Sequence, residues 1–527
     1  MHGQLSSAPT TPSQCSNTGT GTSSVKLQVT APLANLFQAL FPFPSRQATI
    51  GEISDKVLLK IFRYFLDVSP RHWPRLVHTC HKWRDIVFAS HRTLQLRLFC
   101  TYGTPVQKTL YCWPPALRIV MEYGGSPGLD PPAPEDENNI MALLLEQSFR
   151  VTSISLTITS SLLKKLSAIE CPLFEVENLN LLSESPVSVP LILLRIFCLG
   201  PRLSCLRLSR IALPAFLPLL HTSRNLEDLQ LHDVLAPWPI SPAKFTDFLS
   251  GMAQLRSLSL HLLSTADTIS PSPLPRERVI LRVLNRFNFR GTTKYLEDMV
   301  ARIDAPSLLD IEIASSDDTI FDLSNLSQFI GRVELPKSYH RAHILSSEGD
   351  ISISFIQTGT PTCLRLKLLS KSLRLQLSSM ARIRAHFHVL LFNVEDLCID
   401  VTRQSRERGR LYGEAWLEII ASFTSVKWFH ASKDLLTLAF HALQSPHTRR
   451  YTVLPVLHKL YLSQPGSPHA PLMDEIVSLM ISRRLSGHPI VVEYEKPYDH
   501  KELSKKFCEI GAMYVRPHLH YSLTCLE

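Results

Sequence analysis

The chain has 527 residues, of which 45% are hydrophobic and 19% charged, so most of it should fold into several domains or one extended repeat domain. No apolar run is long enough to cross a bilayer, so we expect no membrane association. Eleven cysteines without a CxxC pair predict reduced thiols, typical of a cytoplasmic or nuclear protein. The formal net charge of +9 is compatible with acidic partners.

Residues 1–46 are predicted to be a disordered or extended N-terminal tail. The opening stretch Met1–Ser24 is rich in Ser, Thr, Gly and Gln, a composition that cannot build a hydrophobic core. It also lacks the basic-then-apolar order of a secretory signal.

Residues 47–100 are predicted to form a small helical domain. Ser54 can cap the first helix, and Pro70 ends it. Apolar residues recur at helical spacing in two runs, namely Leu58, Ile61, Phe62, Phe65 and Leu66, then Leu76, Val77, Cys80, Trp83, Val87 and Phe88. Two short helices cannot bury this much apolar surface against each other, so some of it should contact the rest of the chain or another protein.

These two runs resemble the F-box, the helical module that docks onto the Skp-family adaptor of a cullin–RING ubiquitin ligase. The family has a Leu/Ile-x-x-Ile-Phe helix and a later Cys-x-x-Trp-Arg helix. The matching residues are Leu58, Ile61 and Phe62 in the first helix, and Cys80, Trp83 and Arg84 in the second. Ile53-Ser54 stands where Leu-Pro is usual, and Lys56 where Glu is common. The continuation Leu94–Cys100 resembles the large F-box family of mushroom-forming fungi.

The resemblance implies a non-catalytic substrate receptor that links an unknown target protein to the ligase, while other subunits transfer the ubiquitin. It implies adaptor binding through Ile53, Ser54, Leu58, Ile61, Phe62 and Trp83. Between Gly51 and Cys100 nine Lys and Arg residues stand against four acids. This excess would speed association with an acidic adaptor, although nucleic-acid binding would account for the same charge.

An apolar-x-x-apolar-x-apolar pattern recurs through residues 101–465. Its middle residue falls at positions 154, 179, 206, 229, 258, 284 and 311, in steps of 25, 27, 23, 29, 26 and 27 residues. These steps match the leucine-rich-repeat period, which predicts one short strand per repeat and a helical or irregular return. Copies at wider spacing are predicted at Val394–Ile399, Val426–Phe429 and Leu457–Leu462.

Three other parts of the chain depart from this pattern. The alternating runs Ile351–Phe355 and Leu373–Leu377 are predicted to be strands outside the period. A Pro-rich loop is predicted near residues 125–138, where the acids Glu135–Glu137 would be a solubilising patch. Residues 466–527 are predicted to be a capping unit with a helix at Met473–Leu485 and a strand at Ile490–Tyr494.

The polar residues that flank each middle apolar residue are predicted to lie on the concave face of the repeats. The candidates for target binding are Asn178, Asn180, Arg207, Asp228, Gln230, Asn285, Asp310 and Glu312. Two interpretations of this row stay open: a solvated sheet face without a ligand, and a protein-binding surface. The row is mixed in sign and lacks the repeated basic and aromatic residues of a nucleic-acid track.

No catalytic or cofactor motif is present: the sequence has no Gly-rich phosphate loop, GxSxG elbow or HExxH. His78 and His81 flank an apolar helix face, and the pairs His340/His343 and His386/His388 have no thiolate or carboxylate partner in the sequence pattern. We therefore predict no catalytic residue, no cofactor and no metal site.

The predicted fold class is α/β, with a small helical F-box followed by a leucine-rich-repeat-like solenoid. Two alternative functions stay open. The first is a repeat scaffold or protein-interaction module with no ligase role. The second is a nucleic-acid-binding protein that uses the basic residues of the N-terminal domain, although the mixed-sign row argues against it.

Overall fold

The computed structural model describes residues 53–124, 133–166, 175–187, 202–211, 220, 223–234, 240–262, 277–315, 323–333, 339–347, 349–357, 363–370, 372–401, 413–432, 435, 453–463 and 470–494. The predicted tail of residues 1–46 and the end of the predicted cap after Tyr494 lie outside these ranges. The chain divides into two units, a helical unit that ends at Leu94 and a sheet unit that begins at Gln95.

Within residues 53–94 the helical unit has three α-helices: α1 (Asp55–Val68), α2 (Trp73–Val77) and α3 (His81–Ala89). A 3-10 turn at Pro70–His72 joins the first two, and Pro74 lies in the first turn of α2, where its missing N–H has no cost. The rings of Phe62 and Trp83 meet edge to face, 4.8 Å between centroids, and hold α1 against α3.

The sheet unit is mixed α/β. Its helices are α4 (Val106–Cys112), α5 (Pro134–Glu146), α6 (Ser160–Leu166), α7 (Pro242–Ser250), α8 (Thr293–Val300), α9 (Ser324–Arg332), α10 (Leu373–Phe392), α11 (Gly413–Ile420) and α12 (Ala470–Leu485). Helices that follow one another in the chain pack side by side from α4 to α6 and from α7 to α11. None of the helices in the described ranges has the length and apolar character that crossing a bilayer requires.

The strands are β1 (Arg97–Thr101), β2 (Arg118–Tyr123), β3 (Val151–Ile158), β4 (Asn178–Val187), β5 (Cys205–Ile211), β6 (Asp228–Val234), β7 (Ser257–Leu262), β8 (Val279–Ile280), β9 (Arg286–Gly291), β10 (Ile303–Asp304), β11 (Asp310–Ser315), β12 (Arg341–Ser346), β13 (Asp350–Ile356), β14 (Cys363–Leu369), β15 (Asp396–Val401), β16 (Trp428–Ser432), β17 (Lys459–Ser463) and β18 (Val491–Tyr494). Sixteen of them form one sheet, while β8 and β10 pair separately.

The large sheet is mostly parallel. Its order is β1-β2-β3-β4-β5-β6-β7-β9-β11-β14-β13-β12-β15-β16-β17-β18. The chain runs through β12, β13 and β14 as an antiparallel meander, so β13 alone opposes its neighbours. On either side β14 pairs in parallel with β11, and β12 pairs in parallel with β15.

Alternation along each strand separates a buried core face from an open face. The middle apolar residues Ile154, Leu179, Leu206, Leu229 and Leu258 are paired in register across β3 to β7. Each is at most 1% exposed. Because side chains alternate along a strand, the residues directly before and after each middle apolar residue point to the other side of the sheet. We call that side the open face.

The repeat pattern locates most strands but places one of them in the wrong register. Leu258 pairs with Phe287, which in turn pairs with Ile311, so Phe287 and not Leu284 is the middle residue of that unit. Leu281 and Leu284 match only the first two apolar positions of the template, whereas Leu284, Phe287 and Phe289 match all three. Phe289 fits in the core beside Gly291, where an added Cβ would lie 3.0 Å from its ring.

Two further predictions are wrong. Leu373–Leu377 is the start of α10 and not a strand, although Ile351–Phe355 does lie in β13. The acids Glu135–Glu137 are not in a loop: they occupy the first turn of α5, where the helix dipole favours negative charge. Glu137 is buried and accepts hydrogen bonds from Thr159, Ser161 and Lys165, so it is a structural residue.

Candidate functional site

The open face of the sheet places seven of the eight predicted target-binding residues in two adjacent columns. Asn178, Asp228 and Asp310 lie in the first column, and Asn180, Arg207, Gln230 and Glu312 in the second. Asn285 is the exception, because it lies just before β9. Its backbone N–H donates to Arg256 O, and its carbonyl oxygen accepts from the backbone N–H of Asp310. The residues of that repeat on the open face are Arg286 and Asn288, so the assignment of Asn285 is corrected to them.

Cross-strand ion pairs run along this open face. They join Arg207 to Asp228 (3.3 Å), Arg286 to Asp310 (3.3 Å), Arg365 to Glu312 (3.5 Å), Arg341 to Asp396 (2.6 Å) and Lys459 to Glu493 (3.1 Å). The pairs with two exposed members, such as Arg286 and Asp310, contribute only about 0–1 kcal/mol each to stability, whereas Asp396 and Glu493 are buried. Because neighbouring charges are paired, the described strands of this face offer no continuous basic track to a phosphate backbone.

The six predicted adaptor-binding residues differ sharply in exposure. Leu58 and Phe62 are 0% exposed, Ile61 8% and Trp83 6%, so these four side chains form the core of the helical unit. Buried side chains offer no surface to a partner, and their assignment as direct docking residues is corrected accordingly. Ile53 is half-buried and Ser54 exposed. Ser54 occupies the cap position of α1, but its side chain makes no capping hydrogen bond there.

The exposed face of α1 carries a different apolar row. Val57 is 38% exposed, Tyr64 58% and Val68 70%. At 3.6 residues per turn, these three positions fall within an arc of about 40° around the helix. We call this row the α1 stripe. Beside it lie three exposed basic residues and one exposed acid, namely Lys56, Lys60, Arg63 and Asp67.

No protein-family model and no curated protein matches this chain.

The open face also carries a cluster of His343, Cys398 and Asp400 that the sequence pattern does not indicate. His343 on β12 lies in register with Cys398 on β15, and Asp400 follows two residues later on the same side of that strand. The His343 Nε2 atom is 2.9 Å from Asp400 Oδ2, and the Cys398 Sγ atom is 3.8 Å from the same oxygen. In the chain, β13 and β14 lie between β12 and β15, but in the sheet β12 and β15 are neighbours. These residues therefore come together only through the strand order of the sheet.

Charged groups next to this cluster are paired with one another. Asp396 accepts from Arg341 and contacts His430 Nε2 at 3.3 Å. Burial alone would raise the pKa of Asp396, but His430 and Arg341 hold it below its ordinary value. Burial, with Asp400 and Asp396 nearby, raises the pKa of the Cys398 thiol. The thiol is therefore protonated at neutral pH in the absence of a cation.

The open face also holds two stacked histidines. The rings of His232 and His261 lie 4.2 Å apart on the neighbouring strands β6 and β7. Burial lowers the pKa of both imidazoles, and each is lowered further by a nearby positive charge, that of His261 on His232 and that of Arg290 on His261. Both rings are consequently neutral near pH 7, where they add polar but uncharged surface to the face.

Proposed function

We propose that the protein is a non-catalytic F-box substrate receptor that links a target protein to a Skp-adaptor/cullin/RING ubiquitin ligase in the cytoplasm or nucleus. In this proposal the helical unit is the F-box and the sheet unit is a leucine-rich-repeat-like solenoid. The ligase subunits carry out the chemistry. The receptor raises the effective concentration of the target near them.

The α1 stripe is the observation that carries the proposal. Tyr64 and Val68 are more than half exposed although the rest of the apolar residues on α1 are buried or half-buried, apart from Val57. An exposed apolar row with a polar rim is typical of a protein-binding surface. The adjacent Lys56, Lys60 and Arg63 give that rim a positive charge, which favours an acidic partner surface.

The open face supports the target-binding half of the proposal. Its columns combine Asn, Gln, Ser and His side chains with paired charges across many strands. Such a face can recognise a polar protein surface by exchanging its internal ion pairs for intermolecular ones. We propose that the target contacts Arg207, Asp228, Gln230, Arg286 and Glu312.

The proposed binding to the adaptor is tested with the full chain and a purified Skp-family adaptor. The double variant Tyr64→Asp/Val68→Asp places charge on the α1 stripe without touching the core. If each anchor contributes about 1.4–2 kcal/mol, the affinity should fall by at least about 100-fold, measured by titration or co-elution. Substituting Leu58 or Phe62 is no test of docking, because it would unfold the helical unit itself.

Tyr111→Asp is the matched control, because Tyr111 is 91% exposed on α4 in the other unit. This variant should bind the adaptor as the wild type does, and circular dichroism should show unchanged helix content in both proteins. Equal binding by the wild type and the Tyr64→Asp/Val68→Asp variant would overturn the stripe as the interface. Absence of binding by the wild type would overturn the ligase role.

The second candidate function is a repeat scaffold with no ligase role. It is favoured by the burial of Leu58, Ile61, Phe62 and Trp83, since the helical unit then needs no partner to complete its core. On this reading the wild type does not capture the adaptor. Partners retained by the full chain would instead be lost on reversing charges of the open face, for example with Arg207→Glu.

A further inference from the structure

One cluster on the open face has a donor set that the proposed function does not use. It consists of an imidazole, a thiol and a carboxylate from His343, Cys398 and Asp400. The alternating neighbours Ala342, Ile344, Leu397 and Ile399 are all 0% exposed. Because these neighbours fix both strands against the core, the three polar side chains are held on the same side of the sheet.

The distances are close to those that a small tetrahedral cation requires. The ligand atoms of the three residues all lie within 4.8 Å of one another, with 2.9 Å between nitrogen and oxygen and 3.8 Å between sulfur and oxygen. Zinc bonds of about 2.0–2.3 Å at tetrahedral angles require ligand atoms about 3.3–3.8 Å apart. Small side-chain rotations on two paired strands would meet that requirement.

The surroundings also suit a cation. His343 is 31% and Asp400 44% exposed in their side chains, so an ion can enter from solvent. Asp396 adds a nearby carboxylate, and Arg341 is already engaged by it at 2.6 Å. His430 lies in register with Cys398 on β16, and Ser354 lies opposite His343 on β13. Asp400 Oδ2 lies close to both His343 Nε2 and Cys398 Sγ, so this one carboxylate already brings the imidazole and the thiol together.

We propose that His343, Cys398 and Asp400 bind a divalent transition metal, with Zn²⁺ as the preferred ion. Imidazole and thiolate are the donors that zinc favours over the hard cations Mg²⁺ and Ca²⁺. On binding, the Cys398 S–H bond breaks, the sulfur coordinates the ion, and the proton leaves to solvent. Three protein ligands leave a fourth position for water or, after rotation of its ring, His430.

The ion would join β12 to β15, at the boundary where the antiparallel meander meets the parallel strands. A metal ion that binds the folded state but not the unfolded state stabilises the folded protein by mass action. The site therefore acts as a clamp on the open face, independent of whether the helical unit binds an adaptor.

The full chain, freed of metal by a chelator, is titrated with Zn²⁺ in competition with a chromophoric chelator and, separately, with Co²⁺. We expect one tightly bound ion that Cys398→Ser and Asp400→Asn each weaken by more than about 100-fold, and a sulfur-to-cobalt charge-transfer band that Cys398→Ser abolishes. Zn²⁺ should also raise the melting temperature of the wild type more than that of either variant.

Cys205→Ser is the matched control, because Cys205 Sγ lies 3.6 Å from Asp228 Oδ2 on the same face. It should bind both ions as the wild type does. Far-ultraviolet circular dichroism checks that Cys398→Ser and Asp400→Asn keep the fold. Retention of the charge-transfer band in Cys398→Ser, or equal Zn²⁺ affinity in the wild type and both variants, would overturn the site.

Discussion

Glu137 offers a sharp test of the packing between α5 and α6. Its carboxylate accepts from Thr159 Oγ1 at 2.8 Å and from Ser161 Oγ at 2.9 Å, and it pairs with Lys165 Nζ at 2.8 Å. The residue is 5% exposed. Glu137→Gln retains the shape of the side chain but removes the charge that these three donors share.

The expected loss follows from these contacts. A hydrogen bond to a charged group contributes about 1.5–3 kcal/mol, and breaking a buried pair costs about 3–5 kcal/mol. Glutamine keeps one acceptor oxygen, and Lys165 is partly exposed, so we expect a loss of about 2–3 kcal/mol in the free energy of unfolding. Glu137→Ala, which also leaves a cavity, should lose about 3–4 kcal/mol.

The effect should depend on pH. Burial alone would raise the pKa of Glu137, but hydrogen bonds from Lys165, Thr159 and Ser161 bring it below its ordinary value of 4.5. A carboxyl whose pKa is lowered by folding stabilises the protein fully above its unfolded pKa. That contribution is lost as the pH falls through the lower pKa of the folded state, so the variant should differ from the wild type near pH 7 and converge with it in acid.

Urea denaturation followed by circular dichroism measures the difference. The control is Glu135→Gln, because Glu135 lies in the same helical turn but is exposed, and it should change stability by less than about 0.5 kcal/mol. A Glu137→Gln midpoint equal to that of the control at pH 7 would refute the reasoning.

Two further predictions concern glycines and cysteines. A Cβ at Gly124 would collide with the backbone nitrogen of Thr157, so Gly124→Ala should lower the melting temperature. At Gly331 in α9 an added Cβ would meet no atom within 4 Å. Gly331→Ala should therefore raise the free energy of unfolding by about 0.4–1 kcal/mol. Alkylation mapped by mass spectrometry should label the exposed Cys80 quickly and Cys100 slowly, because burial raises the pKa of Cys100 to about 11. Slow labelling of Cys80 or an unchanged melting curve for Gly124→Ala would contradict these expectations.

The sequence predicts the α/β class and most strands of the sheet because each strand must place two apolar residues in one continuous core. That requirement is local and repeats, so the positions near Ile154, Leu179, Leu206, Leu229, Leu258 and Ile311 are all found in strands. The fold class and the mostly parallel arrangement are therefore accessible to periodicity alone.

Other features depend on information that periodicity lacks. Leu373–Leu377 alternates like a strand, but five residues cannot outweigh the helical context that follows them in α10. The pattern misplaces Asn285 because Leu281 and Leu284 form a partial match to the apolar template three residues before the complete match at Leu284, Phe287 and Phe289. Cys80 fits an apolar helical pattern, yet it occupies the position just before α3, where its side chain makes no capping hydrogen bond and is exposed.

The cluster around His343 and Cys398 could not be predicted for a different reason. The two residues are 55 positions apart in the chain and meet only because β12 skips past β13 and β14 to pair with β15. No local pattern encodes that strand order. The same applies to Glu137, whose acidic neighbours suggest solvent exposure. Its partners lie more than twenty residues later, Thr159 just before α6 and Ser161 and Lys165 on it.

The reversed strand β13 has a consequence for how the sheet assembles. Only three residues separate β12 from β13 and six separate β13 from β14, so their pairing closes small loops, whereas every parallel pair must wait for a longer crossover. Hairpins of this kind form in about 1–10 μs, ahead of non-local pairing. We therefore expect this meander to pair first, with parallel strands added to β14 on one side and to β12 on the other.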